Sequence, residues 1–275
     1  MAMGLLIIDI SKCKRDGFCV KDCPTAIIKL GEKGFPEIIT GGEATCLDCG
    51  HCVAVCPHDA LSHERIPIVR SPVIREDLRI NESQALQFLR FRRSVRHFLD
   101  KPVEKEKIQR LIEAARYAPT GGNSQMVEWI VINDKSRIRH IAGLTVNWLR
   151  EIIKNPQVIA ASPYLPVAIA AWAAGNDSVL RGAPSLVIAM APKEAMNGLV
   201  DLTLALSYLD LFASALDLGT CWAGLLQGAL LNDPPVKAAV GIPDSYPHHY
   251  PIMVGYPEFG FHRLPERRAP KIIFA

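Results

Sequence analysis

No Gly-x-Gly-x-x-Gly turn follows a strand-like run in this chain, so a Rossmann-type nicotinamide site has no sequence support. Nor is there a basic run interleaved with aromatic residues. A net charge of +3 over 275 residues, with an isoelectric point near 8.4, is too mild for a nucleic-acid footprint. Clean membrane-length apolar runs are missing as well: Pro163 and Pro166 interrupt Val158 to Ala174, and Asp201, Asp210 and Asp217 punctuate Leu199 to Leu218. That second run reads as a long core or subunit-contact helix. Met1 to Asp9 has no basic start, long apolar core or small-residue cleavage site, so a cytoplasmic protein without a membrane partner is expected. Low-complexity sequence is absent, and the one internal repeat is a doubled cysteine pattern.

Cysteine is almost lacking beyond residue 57, where only Cys221 occurs; the other seven of the eight precede it. Cys46, Cys49, Cys52, Cys56 and Pro57 have the spacing CxxCxxCxxxCP. Thiolates two residues apart on a tight loop point at one centre, while the fourth cysteine normally reaches a second cluster. The second run is Cys13, Asp16, Cys19, Cys23 and Pro24, with aspartate in the second ligand position. Crossing the fourth ligands predicts a 4Fe-4S cluster on Cys46, Cys49, Cys52 and Cys23. A second cluster falls on Cys13, Cys19 and Cys56 with Asp16, as 4Fe-4S if the carboxylate binds iron and as 3Fe-4S if it does not. Structural zinc and a disulfide framework are the competing readings. Zinc knots rarely use two runs each ending in Cys-Pro, and a reducing compartment disfavours disulfides. The first sixty or so residues resemble a bacterial-type two-cluster ferredoxin.

With 49% apolar residues there is material for one small and one medium domain. The expected division is 1–62 for the cluster domain, 63–82 for a linker containing Pro67 and Pro72, and 83–275 for an α+β domain. Helices are predicted from a Ser83 cap through Phe91 and over Glu104 to Arg116, and strands at Glu128 to Ile132, Ser185 to Met190 and Ile252 to Gly255.

Arg92, Arg93, Ser94 and Arg96 crowd three guanidiniums and a hydroxyl into one helix end, which suits a phosphate; a solvated basic helix end is the alternative. Pro119, Thr120, Gly121, Gly122, Asn123, Ser124 and Gln125 form a turn where backbone can approach a flat ligand. With Leu218 to Gly224, these segments resemble the nitroreductase family of FMN enzymes over about residues 84–275. The resemblance implies a nitroreductase-like α+β flavin domain in which Arg92, Arg93, Ser94 and Arg96 hold the FMN phosphate and ribityl end. It further implies that Asn123 meets the flavin, that Ala223 and Gly224 lie against its ring, and that Arg268, or neighbouring Arg267, contacts phosphate. An intertwined homodimer is also implied, with Lys271 to Ala275 on the partner's sheet. In place of the Pro-Trp pair that follows Gln125 in many relatives, Met126, Val127 and Glu128 precede Trp129 here.

The fusion implies an FMN-dependent oxidoreductase in which clusters relay single electrons to flavin, and flavin reduces a small-molecule acceptor such as a nitroaromatic or quinone. A reduced ferredoxin or another low-potential carrier would be the donor, and no side chain is required as a catalytic base. Two rival readings are an NAD(P)H-driven flavin reductase with accessory clusters, since family members can stack nicotinamide on the flavin, and a non-catalytic redox sensor or electron-transfer module. Cys221 reads as a packed cysteine, and His248 and His249 as a solvated loop. Gly143 to Gly175, with Trp148, Tyr164 and Trp172, reads as a pocket cover or as core and dimer packing.

Overall fold

A computed structural model describes residues 4–275, so the first three residues of the Met1 to Asp9 segment lie outside it. The chain divides into two compact units. The first ends at Ile80 and also contains Gly122–Ser124; the second comprises Asn81–Gly121 and Gln125–Ala275.

The first unit folds the same backbone path twice. Strand β1 (Leu6–Ile8), helix α1 (Phe18–Lys21), strands β2 (Ile28–Leu30) and β3 (Pro36–Ile38), helix α2 (His51–Ala54) and strand β4 (Leu61–His63) follow in order. β1 pairs antiparallel with β4, placing Leu6 opposite His63, and β2 pairs with β3. Each single-turn helix starts after a left-handed glycine, Gly17 at φ 74° and Gly50 at φ 72°. Left-handed residues also recur two places after the first cysteine of each run, Arg15 and Asp48, and three places after its last, Ala26 and Asp59. Those turns curl the chain around a point, as multidentate ligation requires. The buried core is small: one cluster of Cys19, Ile27, Ile28, Cys52, Val53 and Leu61, with Leu5 and Ala60 also buried. Between β4 and Ile80 the regular structure is limited to two single 3-10 turns, Ile68–Arg70 and Glu76–Leu78.

The second unit contains helices α3 (Glu82–Phe91) and α4 (Lys105–Ala115), strand β5 (Glu128–Ile132), and helices α5 (Lys135–Ile152), α6 (Pro156–Ala161) and α7 (Leu165–Ala173). Strand β6 (Ser185–Ala191), helix α8 (Gly198–Ala213), strand β7 (Gly219–Trp222), helices α9 (Gly224–Asn232) and α10 (Pro234–Val240), and strand β8 (His248–Gly255) complete it. The antiparallel sheet has the order β5-β6-β8-β7. Both its faces are covered. Leu186, Ile188 and Met253 join a core with residues of α5, α9 and α10, while Val187, Ala189, Ile252 and Val254 join one with residues of α4 and α8. This is why all seven residues of β6 are buried and read as a continuous apolar run.

Three sequence expectations shift. The cap of α3 is Asn81, not Ser83: Asn81 Oδ1 accepts from the Gln84 N–H, and Gln84 Oε1 accepts from the Asn81 N–H. Ser83 has leucine three residues on and cannot form that reciprocal box. β8 starts at His248, before the expected Ile252, because Pro251 sits inside a strand whose two neighbours already fix its register. His249 is therefore buried at 3% exposure, not in a solvated loop. The helical run Gly198–Leu216, which is α8 and the 3-10 turn after it, is long and apolar enough to cross a membrane by length and composition, but here Leu202, Ala205, Leu206 and Leu209 bury against the sheet.

Candidate functional site

The first unit gathers its cysteines in two shells. One cavity is lined by Cys23, Cys46, Cys49 and Cys52, and another by Cys13, Asp16, Cys19 and Cys56. The fourth cysteine of each run thus lies with the first three positions of the other. Burial raises the Cys52 thiol to about 11 and pushes Cys19 and Cys46 upward as well. At Cys23 burial acts in the same sense but is outweighed by the Ile27 and Thr25 N–H groups and the Thr25 hydroxyl, and the thiol sits below its usual value. Cys19, Cys46 and Cys52 would resist ionisation unless a cationic centre held them, and with their neighbours in the two cavities they form a donor set that fits iron–sulfur clusters.

Asp16 is engaged from two sides. Its Oδ1 accepts from the Phe18 N–H at 3.2 Å, and His58 Nε2 lies 3.1 Å from Oδ2. At the other shell, His63 Nε2 lies 3.5 Å from Cys46 Sγ.

In the second unit the arginine segment runs beside β7. The Val95 N–H donates to the Thr220 carbonyl at 2.8 Å, and Ser94 bridges Thr220 in parallel register. Gly219 permits this: a β-carbon there would lie 2.3 Å from Val95 Cγ2. A cavity is lined by Arg92, Arg93, Asp210, Thr220, Phe259 and Phe261. Arg92 Nη1 lies 3.4 Å from Asp210 Oδ2, the Trp222 indole N–H donates to the same oxygen at 3.0 Å, and the Thr220 hydroxyl donates to Oδ1. Arg93 sits over the Phe261 ring. Guanidiniums beside aromatic walls fit a phosphate carrying a flat ring system, which is the chemistry of FMN.

The glycine turn is fastened by Asp201, to which the sequence reading gave no role, and from within by Thr120. Asp201 of α8, at 2% exposure, accepts from the Gly121 N–H at 3.0 Å, and the Thr120 hydroxyl accepts from the Gln125 N–H at 3.0 Å. Gly122, Asn123 and Gln125 are left-handed. Gly122–Ser124 falls with the first unit, where Asn123 Nδ2 donates to the Leu47 and Asp48 carbonyls at 2.9 Å each. Ala223 is buried ahead of α9, its N–H donating to the Pro251 carbonyl, and Gly224 opens that helix exposed. Pro119 and Arg96 are exposed. Arg267 and Arg268 lie in an exposed irregular segment, and neither lines the Arg92 cavity. Cys221 is buried, as its packed reading expects, and burial pushes its thiol up.

An antiparallel sheet between helical layers, an arginine-lined cavity at β7 and a separate unit with two thiol shells define an iron–sulfur flavoprotein. The nitroreductase family model matches residues 89–256, and a 4Fe-4S dicluster domain model matches residues 12–60. The chain belongs to the nitroreductase family, a family of FMN-dependent oxidoreductases, and carries a ferredoxin dicluster domain ahead of it. It is similar to the FMN reductase (NAD(P)H) of Bacillus subtilis, 26% identical over 148 residues, which are 53% of this chain and 56% of that one. Its N-terminal part is similar to the "Ferredoxin 7Fe" of Hydrogenibacillus schlegelii, 40% identical over 53 residues, 18% of this chain and 59% of the ferredoxin. The chain thus spans a little over half the length of each of these two relatives. The fold is that of a solved nitroreductase with bound FMN from Bacteroides fragilis, with a TM-score of 0.57 and 21% identity over 71% of this chain and all of that one.

Proposed function

We propose that the chain is a cluster-fed flavin reductase, taking electrons one at a time from a reduced ferredoxin or similar carrier and delivering them in pairs to a small organic acceptor such as a nitroaromatic or quinone. The observation that carries this reading is the joining, in one chain, of two thiol shells and a nitroreductase fold with an arginine-lined cavity. Cys23, Cys46, Cys49 and Cys52 hold a 4Fe-4S cluster. Cys13, Cys19 and Cys56 hold a 3Fe-4S cluster: Asp16 already has His58 and the Phe18 N–H as partners, and the similar ferredoxin is a seven-iron one. FMN, when bound, supplies a carrier that accepts electrons singly and gives them up as a pair. Arg92, Arg93, Ser94 and Arg96 hold its phosphate and ribityl end, with Arg268 or Arg267 as a further phosphate contact. The backbone of Pro119 to Gln125 and of Ala223 and Gly224 serves its ring. The acceptor takes its protons from solvent, because no side chain is assigned as a base.

The protein works as a homodimer in a reducing, cytoplasmic compartment. Supporting the dimer, α3 buries no residue and exposes Leu86, Leu89 and Phe91, while Ile273 and Phe274 are more than nine-tenths exposed. A nicotinamide donor is the second reading, favoured by the NAD(P)H in the name of the similar Bacillus subtilis reductase.

Anaerobic purification is expected to give about seven irons and one FMN per chain. Reduced ferredoxin should then bleach the flavin in the wild type but not after Cys46→Ser. Rapid bleaching by NADH or NADPH in that variant would replace the relay with the nicotinamide reading. Arg93→Ala should weaken FMN retention by about ten- to a hundredfold, the loss of one charge-assisted hydrogen bond. Flavin-to-protein ratios after dialysis measure it, and an unchanged ratio would remove Arg93 from the phosphate site.

A further inference from the structure

His63 ends β4 at 2% exposure, and an imidazole so deeply buried needs partners for its ring nitrogens. Nδ1 faces the Arg65 backbone N–H at 3.2 Å. A backbone N–H only donates, so Nδ1 is the lone-pair nitrogen and the ring proton resides on Nε2. Nε2 in turn lies 3.5 Å from Cys46 Sγ, a hydrogen-bonding distance for the larger sulfur atom, and 3.9 Å from Asp48 Oδ1. One backbone amide therefore fixes the tautomer that aims N–H at the sulfur.

The repeat supplies a comparison within the same molecule. His63 is the seventh residue after Cys56, and the seventh after Cys23 is Leu30, which lines the other shell. The two positions end equivalent strands, β4 and β2. One shell has an N–H donor at this place and the other has a hydrocarbon.

We infer that His63 raises the reduction potential of the centre held by Cys23, Cys46, Cys49 and Cys52 by donating its Nε2–H to the Cys46 thiolate. This rests on the reading of those four cysteines as ligands. An electron added to such a centre increases the negative charge on its sulfurs, so a donor aimed at one of them stabilises the reduced form more than the oxidised. The equivalent leucine leaves the other centre without that contribution. His63 is a positioning residue: it touches a ligand, not the iron, and sets how readily an electron enters there.

The test is an anaerobic redox titration of the whole chain, followed by electron paramagnetic resonance. In His63→Leu the reduction equilibrium of this centre should move about tenfold toward the oxidised form, about 59 mV more negative for one electron. The potential of the other centre should stay put. His63→Gln, whose amide N–H falls near the place of Nε2, should recover at least half of the shift. An unmoved potential in a His63→Leu protein with full iron content overturns the inference. If that variant loses iron, wild-type protein labelled with 15N-histidine decides: pulsed spectroscopy should find a histidine nitrogen coupled to the reduced centre, and its absence overturns the inference. Iron counts keep the two levels apart, since failure of the ligand reading appears as iron missing from the wild type itself.

Discussion

Asp210→Ala is expected to lower the stability of the second unit by about 3–5 kcal/mol, the cost of removing one partner from a buried pair. The carboxylate is 6% exposed and meets three groups: the Thr220 hydroxyl, the Trp222 indole N–H and the Arg92 guanidinium. Alanine leaves the buried Thr220 hydroxyl and the half-buried Trp222 indole without an acceptor, and a buried group left so costs about 1–3 kcal/mol. Arg92 reaches water with about a third of its side chain, so its share is smaller and the total belongs at the lower end. For a chain of this size the melting temperature should fall by about 10 °C. Flavin retention should fall with it, because Arg92 and β7 lose the group that aligns them. Asp210→Asn keeps one acceptor and should lose less than half as much. A thermal scan placing the alanine variant within two degrees of wild type would show that the three contacts contribute little to the fold.

Stripping iron from the anaerobic protein with a strong chelator should unfold the first unit while the second stays native. The buried apolar core of the first unit is small: Leu5, Ile27, Ile28, Val53, Ala60 and Leu61 with Cys19 and Cys52. Domains this small seldom hold together without metal or cross-links, and ligand binding here is folding free energy. Limited proteolysis should then cut within residues 4–80 and leave a resistant fragment beginning near Asn81. Protection that survives complete iron removal would mean that the short strands and apolar residues suffice alone. Cys52→Ser should behave like the stripped protein.

The thiol shells were legible in the sequence because their ligands are spaced locally and the run is repeated, so crossing the fourth ligands followed from spacing alone. β5 and most of β6 were legible because each alternates or fills with apolar residues over its length. Asp201 and Asp210 were visible only as charges interrupting an apolar helix; their partners, Gly121 and Thr220, are fixed by packing of distant segments. The rule that a buried carboxylate needs donors could have marked them, though not named what they hold. His63 fell in the stretch read as a connector, since a three-residue strand shows no period. Aligning the two cysteine runs and continuing seven residues past each would have exposed its contrast with Leu30. Asn123 was assigned to the flavin from the resemblance; that its amide also donates to two carbonyls of the cysteine loop depends on a contact between distant segments that no local spacing encodes.

The duplicated left-handed turns at Arg15 and Asp48, and at Ala26 and Asp59, mean that both inorganic centres are cast from one mould. What distinguishes them is chemistry hung on equal scaffolds: carboxylate against thiol at Asp16 and Cys49, hydrocarbon against imidazole at Leu30 and His63. A pair of centres with unlike electron affinities thereby arises by point substitution, leaving the path of the chain untouched.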